Sequence, residues 1–418
     1  MAGSTRDRLL QHSALLVIAN GVAALFNLLY HAVCGRMLSF SEYGVLTALL
    51  DGILILSVPL VGLSTALTHT SASLAAKEQF PAIRQLAWRW FRGLLIVSVA
   101  LVALTWLTRP AIAEWVRFDR PTAVLAASLV LAAGLVLTVW SAILAGMQRF
   151  GALAIYIVTV AVSRVGLAGL CMMLFFPVAG YALLGQGLAF GLGMLFCMAI
   201  VLRHTQSGTA APSVPAPVGK YILSSALFLL GLRLLTLSDV LLARHLFDLP
   251  IADRYARLTV PARLVMMVTL PIAAVMFPKV VAAREAGGAA GRAVAWRASL
   301  LTAALLVPAV AVVAVFPDFV LGIMYGEFTL AGTERETIRW LVAAMIPMAG
   351  VNLVVQYGLA GKRWKALLAV PLGAVALLAW CAQGMATPTH LAQSLLAANA
   401  LTLIAVTAGQ WRAQRNAG

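Results

Sequence analysis

The sequence predicts an all-α polytopic membrane protein, with about 12 transmembrane helices in two six-helix bundles related as parallel repeats. Three observations carry this. Of 418 residues, 62% are hydrophobic and only 11% charged, and the mean hydropathy of +0.97 is far above that of a water-soluble chain of this length. Short motifs recur in the same order in the two halves of the sequence. Lys and Arg concentrate on one alternate set of loops.

Taken in order, apolar runs place spans at 12–35, 43–68, 91–108, 122–146, 152–175, 178–202, 220–247, 254–278, 297–316, 334–360, 366–383 and 391–411. Each approaches the roughly 20 residues that cross the hydrocarbon core, and the longer ones must tilt or protrude. Gly and Pro inside several spans are tolerable in lipid, because neighbouring helices and hydroxyl side chains re-pair the freed backbone groups. The first run follows Arg6 and Arg8 as a signal peptide would, but it is too long and lacks a clear cleavage site, so it reads as span 1. Residues 206–219, with Pro212, Pro215 and Pro217, read as a cytoplasmic linker between an N-terminal bundle, 1–205, and a C-terminal bundle, 220–418. Six is even, so both halves enter the membrane from the same side and their pseudo-two-fold axis follows the membrane normal.

The repeat is visible residue by residue. Tyr43, Asp51 and Pro59 return as Tyr255, Arg263 and Pro271, each displaced by 212 residues. Gly35-Arg36 with Leu38 answers Ala243-Arg244 with Leu246 at an offset of 208. Ala87-Trp88-Arg89 returns as Ala295-Trp296-Arg297, and Leu144-Ala145-Gly146 as Leu359-Ala360-Gly361. A duplicated helical membrane protein with charges at the repeat interface points to transport.

With the N-terminus inside, one set of loops and tails holds 18 basic groups against three acidic ones, and the opposite loops hold nine of each. Both termini are therefore expected in the cytoplasm. The net charge of +16 is then mostly topology, which leaves little support for a nucleic-acid partner. Cys34, Cys171, Cys197 and Cys381 show no paired spacing and read as packing residues, without a metal site or disulfide framework. There is no Gly-Lys-Ser/Thr phosphate loop and no acidic pair suited to glycosyl transfer, so neither enzymatic activity nor a cofactor is expected.

Charges inside spans mark function, since each costs about 2.5–3.5 kcal/mol at mid-membrane on insertion scales. Five stand out: Asp51 in span 2, Arg164 in span 5, Arg233 and Asp239 in span 7, and Arg263 in span 8. The repeat sets Asp51 and Arg263 at equivalent heights, either as an ion pair that glues the halves or as a gate pair. Pro59 and Pro271, eight residues after each charge, would bend both helices and act as hinges. Arg164, Arg233 and Arg263 outnumber the two carboxylates, and a cavity with that surplus prefers an anion such as a phosphate. Arg233 could instead snorkel to the surface. Arg36 and Arg244 are expected as interfacial anchors or external gate residues. His31 answers Asp239 at the offset of 208, which suits either a proton-coupling pair or a hydrogen-bonded core histidine. Gly187 and Gly191 form a small-xxx-small face for tight helix packing.

Asn27-Leu28-Leu29, leading to Gly35-Arg36-Met37-Leu38-Ser39-Phe40-Ser41-Glu42-Tyr43-Gly44, resembles the first helix and turn of polysaccharide-biosynthesis flippases of the multidrug/oligosaccharidyl-lipid/polysaccharide (MOP) exporter superfamily. Leu144 to Gly151, Ser238 to Arg244 and Phe277-Pro278-Lys279 are similar to further stretches of that family. The resemblance implies a pair of six-helix bundles alternating between inward- and outward-open forms. It also implies, in the O-antigen flippase branch, passage of polyprenyl-diphosphate-linked oligosaccharide from the cytoplasmic to the periplasmic leaflet of a bacterial inner membrane, for surface or exopolysaccharide synthesis. Asp51, Arg164 and Arg263 are the positions that could meet the family's Arg-lined cavity. Membrane lipids, a polysaccharide polymerase and glycosyltransferases are the implied partners. Two other readings stand beside it: a cation-coupled multidrug antiporter of the MATE branch, and a non-transporting scaffold of a polysaccharide export complex.

Overall fold

A computed structural model describes residues 2–118, 121–205, 219–267, 289–326, 329–360 and 364–415, with 269, 272, 276 and 280. Its described residues are helical or in short turns. The helices are α1 (Ala2–Met37), α2 (Phe40–Leu56), α3 (Val58–Ala76), α4 (Phe80–Trp115), α5 (Pro121–Gly146), α6 (Phe150–Leu174), α7 (Ala179–His204), α8 (Gly219–Leu246), α9 (Leu249–Met267), α10 (Ala289–Val315), α11 (Pro317–Tyr325), α12 (Gly332–Ala360), α13 (Trp364–Leu367), α14 (Ala369–Cys381) and α15 (Pro388–Arg415). Among the described residues ten helices are long and apolar enough to cross a membrane, and 11 if α2 and α3 are one broken span. The expected span at 254–278 falls on α9 and then on residues outside the described set, as do the linker at 206–218 and Phe277-Pro278-Lys279. The chain is a multi-pass membrane protein.

Turn chemistry explains where the helices start and stop. Ser39, followed three residues later by Glu42, opens α2 as a capping box would, with the Glu42 amide donating to Ser39 Oγ at 3.2 Å. The Glu42 carboxylate accepts from the Ala179 amide at 2.8 Å, so one helix's first turn caps the start of another. The α3–α4 and α5–α6 turns are built alike. Glu78 and Gln148 take positive φ, 56° and 57°, and the next amides, of Gln79 and Arg149, close back on Leu74 and Leu144. The second span breaks at Ser57, the N-cap of α3, with Pro59 in the first turn.

Two compact units result: 1–42 with 56–223, and 43–55 with 224–418. In the first, α5 is the central helix, packed along α3, α4 and α7, while α6 lies against α1 and α7. Its core gathers Leu67 and Leu74 of α3, Ile83 and Leu86 of α4, Trp140 and Ile143 of α5, and Cys197 and Val201 of α7. Trp140 meets Trp88 and Phe91 with ring centroids 5.6 Å apart in both pairs, the edge and tilted arrangements that aromatic quadrupoles favour. The close approach of α6 and α7 is made at Gly185, where a Cβ would strike the Ala168 backbone, and at Gly193, against Val160. The expected pair Gly187 and Gly191 is not the tight face, since Gly191 has open space. In a membrane, helix packing relies on such backbone contact rather than on hydrophobic burial.

In the second unit α12 is central, packed against α9, α10 and α15, with α14 beside α15. Gly231 lets α8 meet the α14 backbone at Pro371. Of the two central helices, α5 ends on Leu144-Ala145-Gly146 and α12 on Leu359-Ala360, the first two residues of the repeated motif. α1 ends at Met37 and α8 at Leu246, within one residue of the offset of 208 read from sequence. All four cysteines are buried and free.

Candidate functional site

The charged cluster of the second unit joins three segments. Asp51 comes from the 43–55 portion of α2, Asp239 from the end of α8, and Tyr255 and Arg263 from α9, two turns apart. Arg263 Nη1 donates to both Asp51 carboxylate oxygens, at 2.8 and 2.7 Å. Its Nη2 donates to Asp239 Oδ1. The Tyr255 hydroxyl donates to Asp239 Oδ2 at 3.2 Å. Asp51 and Asp239 are 4% and 1% exposed, so their desolvation must be offset by this fork of donors. Two carboxylates share one guanidinium, so with both ionised the triad carries a formal charge of −1. Arg233, six residues before Asp239 on α8, is exposed and within electrostatic range of Asp51.

Nearer the α8–α9 turn a second network forms. Arg244 Nη1 donates to Asp253 Oδ1 at 2.5 Å, both side chains being buried. Gly44 faces that carboxylate so closely that a Cβ there would overlap Asp253 Oδ1. The Tyr43 and Tyr325 hydroxyls are 3.1 Å apart, and their rings meet edge-on with centroids at 5.3 Å. Arg257 lies 5.2 Å from each of these two ring centroids, within the range of cation–π attraction. Its carbonyl accepts from the Tyr325 hydroxyl at 3.0 Å.

The first unit is different in kind. Arg164 on α6 donates from Nη1 to Asn27 Oδ1 of α1 at 2.7 Å, and its guanidinium lies 3.8 Å from the Tyr30 ring centroid. His31 meets the same ring edge-on at 5.6 Å. The acidic residues of this part of the sequence sit at or beyond helix ends, and none falls at mid-span. Arg164 is thus an embedded cation held by an amide and an aromatic face.

The expected sites are placed as follows. Arg164 belongs to the first unit, Arg233 and Arg263 to the second, where Arg263 is bound by two carboxylates. The pair of Asp51 and Arg263 forms, but inside one unit, because the 43–55 segment belongs to the second. Asp239 joins that pair, while His31 packs with Tyr30 in the first unit. Arg244 is not an interfacial anchor, being 1% exposed, whereas its repeat partner Arg36 is exposed. Arg257, inside the expected span at 254–278, and Asp253, one residue before it, are buried within α9. Pro271 lies outside the described residues. Asn27 stood in the sequence only within the motif that carries the family resemblance, and Tyr30 and Tyr325 carried no signal. For Arg257 and Asp253 there was one, since Pro250 marks a helix start several residues earlier than hydropathy does.

No family model matches the chain, and no curated protein does. Solved structures do. The inward-facing form of a multidrug resistance MATE family transporter of the MOP superfamily superposes with a TM-score of 0.70 at 17% identity, over 96% of this chain and 98% of that one. A mutant Vibrio cholerae MATE transporter does so with a TM-score of 0.67 at 15% identity, over 99% and 98%. A MOP superfamily transporter from Pyrococcus furiosus, described as having a binding pocket of reverse polarity that suggests a different function, gives 0.56 at 15% identity, over 96% and 95%. These likenesses establish a MATE-like fold with two repeat bundles.

Proposed function

We propose that the chain is a transporter of the MOP type that carries its substrate across the bilayer by alternating access, and that it works as a MATE-type exchanger of an organic cation against an ion gradient. The observation that carries this reading is the buried triad of Asp51, Asp239 and Arg263, on a fold whose solved relatives include MATE transporters. A triad with one negative charge in excess attracts a proton or a small cation. Adding that charge weakens the hold of Asp51 and Asp239 on Arg263, which couples ion occupancy to the seating of the 43–55 segment.

A second reading is favoured by Arg164. A guanidinium in mid-span, with no embedded carboxylate in its unit, suits the diphosphate of a polyprenyl-linked oligosaccharide. The reversed pocket polarity described for the Pyrococcus furiosus transporter supports the idea that this fold accepts more than one sign of substrate. In that reading polysaccharide polymerase and glycosyltransferases are the partners, and outward movement of the diphosphate is favoured by the inside-negative potential.

One comparison separates the readings. Purified protein in vesicles is expected to move a cationic dye when a proton or sodium gradient is imposed, and to lose this in Asp51→Asn. No dye movement, with loss of surface glycan in a flippase-deficient strain carrying Arg164→Ala, would overturn the exchanger in favour of the flippase. A scaffold would show neither.

In either reading both termini lie in the cytoplasm of a bacterial cell with the chain in its inner membrane, an orientation that the charge asymmetry of the loops supports. Because the native thiols are buried, single cysteines introduced as Lys77→Cys and Trp115→Cys can be labelled over a quiet background. Position 115 is expected to react with an impermeant reagent from outside and position 77 only after permeabilisation; the reverse pattern would invert the topology.

A further inference from the structure

The first unit carries a groove between α4 and α5 with a volume of about 770 Å³, lined by Leu95, Ala103, Trp106, Ala132, Ala133 and Val136. The hydroxyl that borders it, of Ser98, is already donated to the Ala132 carbonyl at 3.2 Å, so the lining offers a ligand nothing but hydrocarbon. From Leu95 to Leu107 it follows α4 for about 18 Å at 1.5 Å per residue, close to half of the roughly 30 Å hydrocarbon core. That is the depth of one leaflet.

The groove ends at a cation. Trp106 is 53% exposed, and the guanidinium of Arg109, one turn on, lies over its ring at 3.7 Å from the centroid. Arg109 is half-buried, and its Nη1, covered in the protein alone, has no hydrogen-bond partner among the described residues. Glu114, the one acidic residue in the sequence of this end of α4, is five positions on and so turned away by about 140° around the helix. A stacked guanidinium with a donor to spare, at the level where a leaflet's hydrocarbon gives way to headgroups, is complementary to a phosphodiester.

We infer that this groove is a binding site for an anionic phospholipid, which lays an acyl chain along α4 and α5 and presents its phosphate to Arg109. In the proposed topology the lipid comes from the outer leaflet. The site is independent of the transported substrate, because it uses neither Arg164 nor the triad of Asp51, Asp239 and Arg263.

Brominated acyl chains quench tryptophan on contact, and Trp106 stands in the groove wall. The full chain is reconstituted in vesicles containing a minor fraction of either brominated phosphatidylglycerol or brominated phosphatidylcholine, and the Trp106 contribution is taken as the difference from Trp106→Phe. Quenching of that contribution is expected to show about a fivefold preference for phosphatidylglycerol, the scale of one basic group near an anionic surface. The preference should vanish in Arg109→Gln and survive in Arg109→Lys. Equal quenching by the two lipids, or a preference that persists in Arg109→Gln, would overturn the inference. So would relief of quenching by polyprenyl phosphate but not by unbrominated phosphatidylglycerol, which would make the groove a substrate site.

Discussion

Arg263→Gln is expected to abolish transport and to destabilise the second unit by about 3–5 kcal/mol, the usual consequence of removing one partner from a buried ion pair. The wild-type guanidinium donates to Asp51 through Nη1 and to Asp239 through Nη2. Without it two carboxylates, each at most 4% exposed, are left near one another in a low-dielectric interior. They must then take up protons or separate, and either response unseats the 43–55 segment. Thermal denaturation in detergent, followed by native tryptophan fluorescence, reads the stability. Dye exchange in vesicles reads the function.

A double substitution divides the two roles. In Asp51→Asn with Arg263→Gln, the amides can hydrogen-bond each other and only Asp239 remains to be satisfied, with the Tyr255 hydroxyl still in place. Stability should return most of the way to wild type while exchange stays absent, because the charge that responds to the coupling ion has gone. If the double substitution restores both, the triad is a structural clamp and the transport role assigned to it is wrong. If Arg263→Gln alone is as stable as wild type, the carboxylates are less desolvated than their exposure indicates.

The sequence disclosed the pair of Asp51 and Arg263 because duplication converts a three-dimensional neighbourhood into a fixed offset: both residues precede a proline by eight positions, in corresponding helices. The same logic does not reveal the partners of Asp239. Its equivalent at that offset is His31, yet its partners are Arg263 and Tyr255, since a repeat relates positions within each half and says nothing about which side chains meet. Arg164 was visible as an embedded charge, but Asn27 and Tyr30, which hold it, look in sequence like ordinary residues of an apolar helix. Hydropathy placed the spans well and the start of α9 poorly, because Asp253, Arg254 and Arg257 lower the local average while two of the three are buried. Buried pairing is invisible to a scale that scores residues one at a time.

The second large effect is expected at Arg244, where the repeat halves part company. Arg36 and Arg244 are equivalent in sequence, but the position equivalent to Asp253 in the first half is Ser41, at the offset of 212. The second half buries its arginine against this carboxylate, with Arg244 at 1% exposure. Arg244→Ala should cost about 3–5 kcal/mol by leaving Asp253 desolvated and without its cation, whereas Arg36→Ala, at an exposed site, should stay within about 0.5 kcal/mol. Replacing the pair with apolar residues, as Arg244→Met with Asp253→Leu, is expected to recover stability, as buried ion pairs elsewhere do when both partners are removed. Gly44→Val tests the same contact from the other side. A Cβ at position 44 would occupy the space of the Asp253 carboxylate, so this change should destabilise wild type by pushing Asp253 off Arg244. Melting curves of the four variants decide it: an Arg244→Ala protein that melts with wild type, or a Gly44→Val protein that does, would mean that the α2 segment is not seated against Asp253.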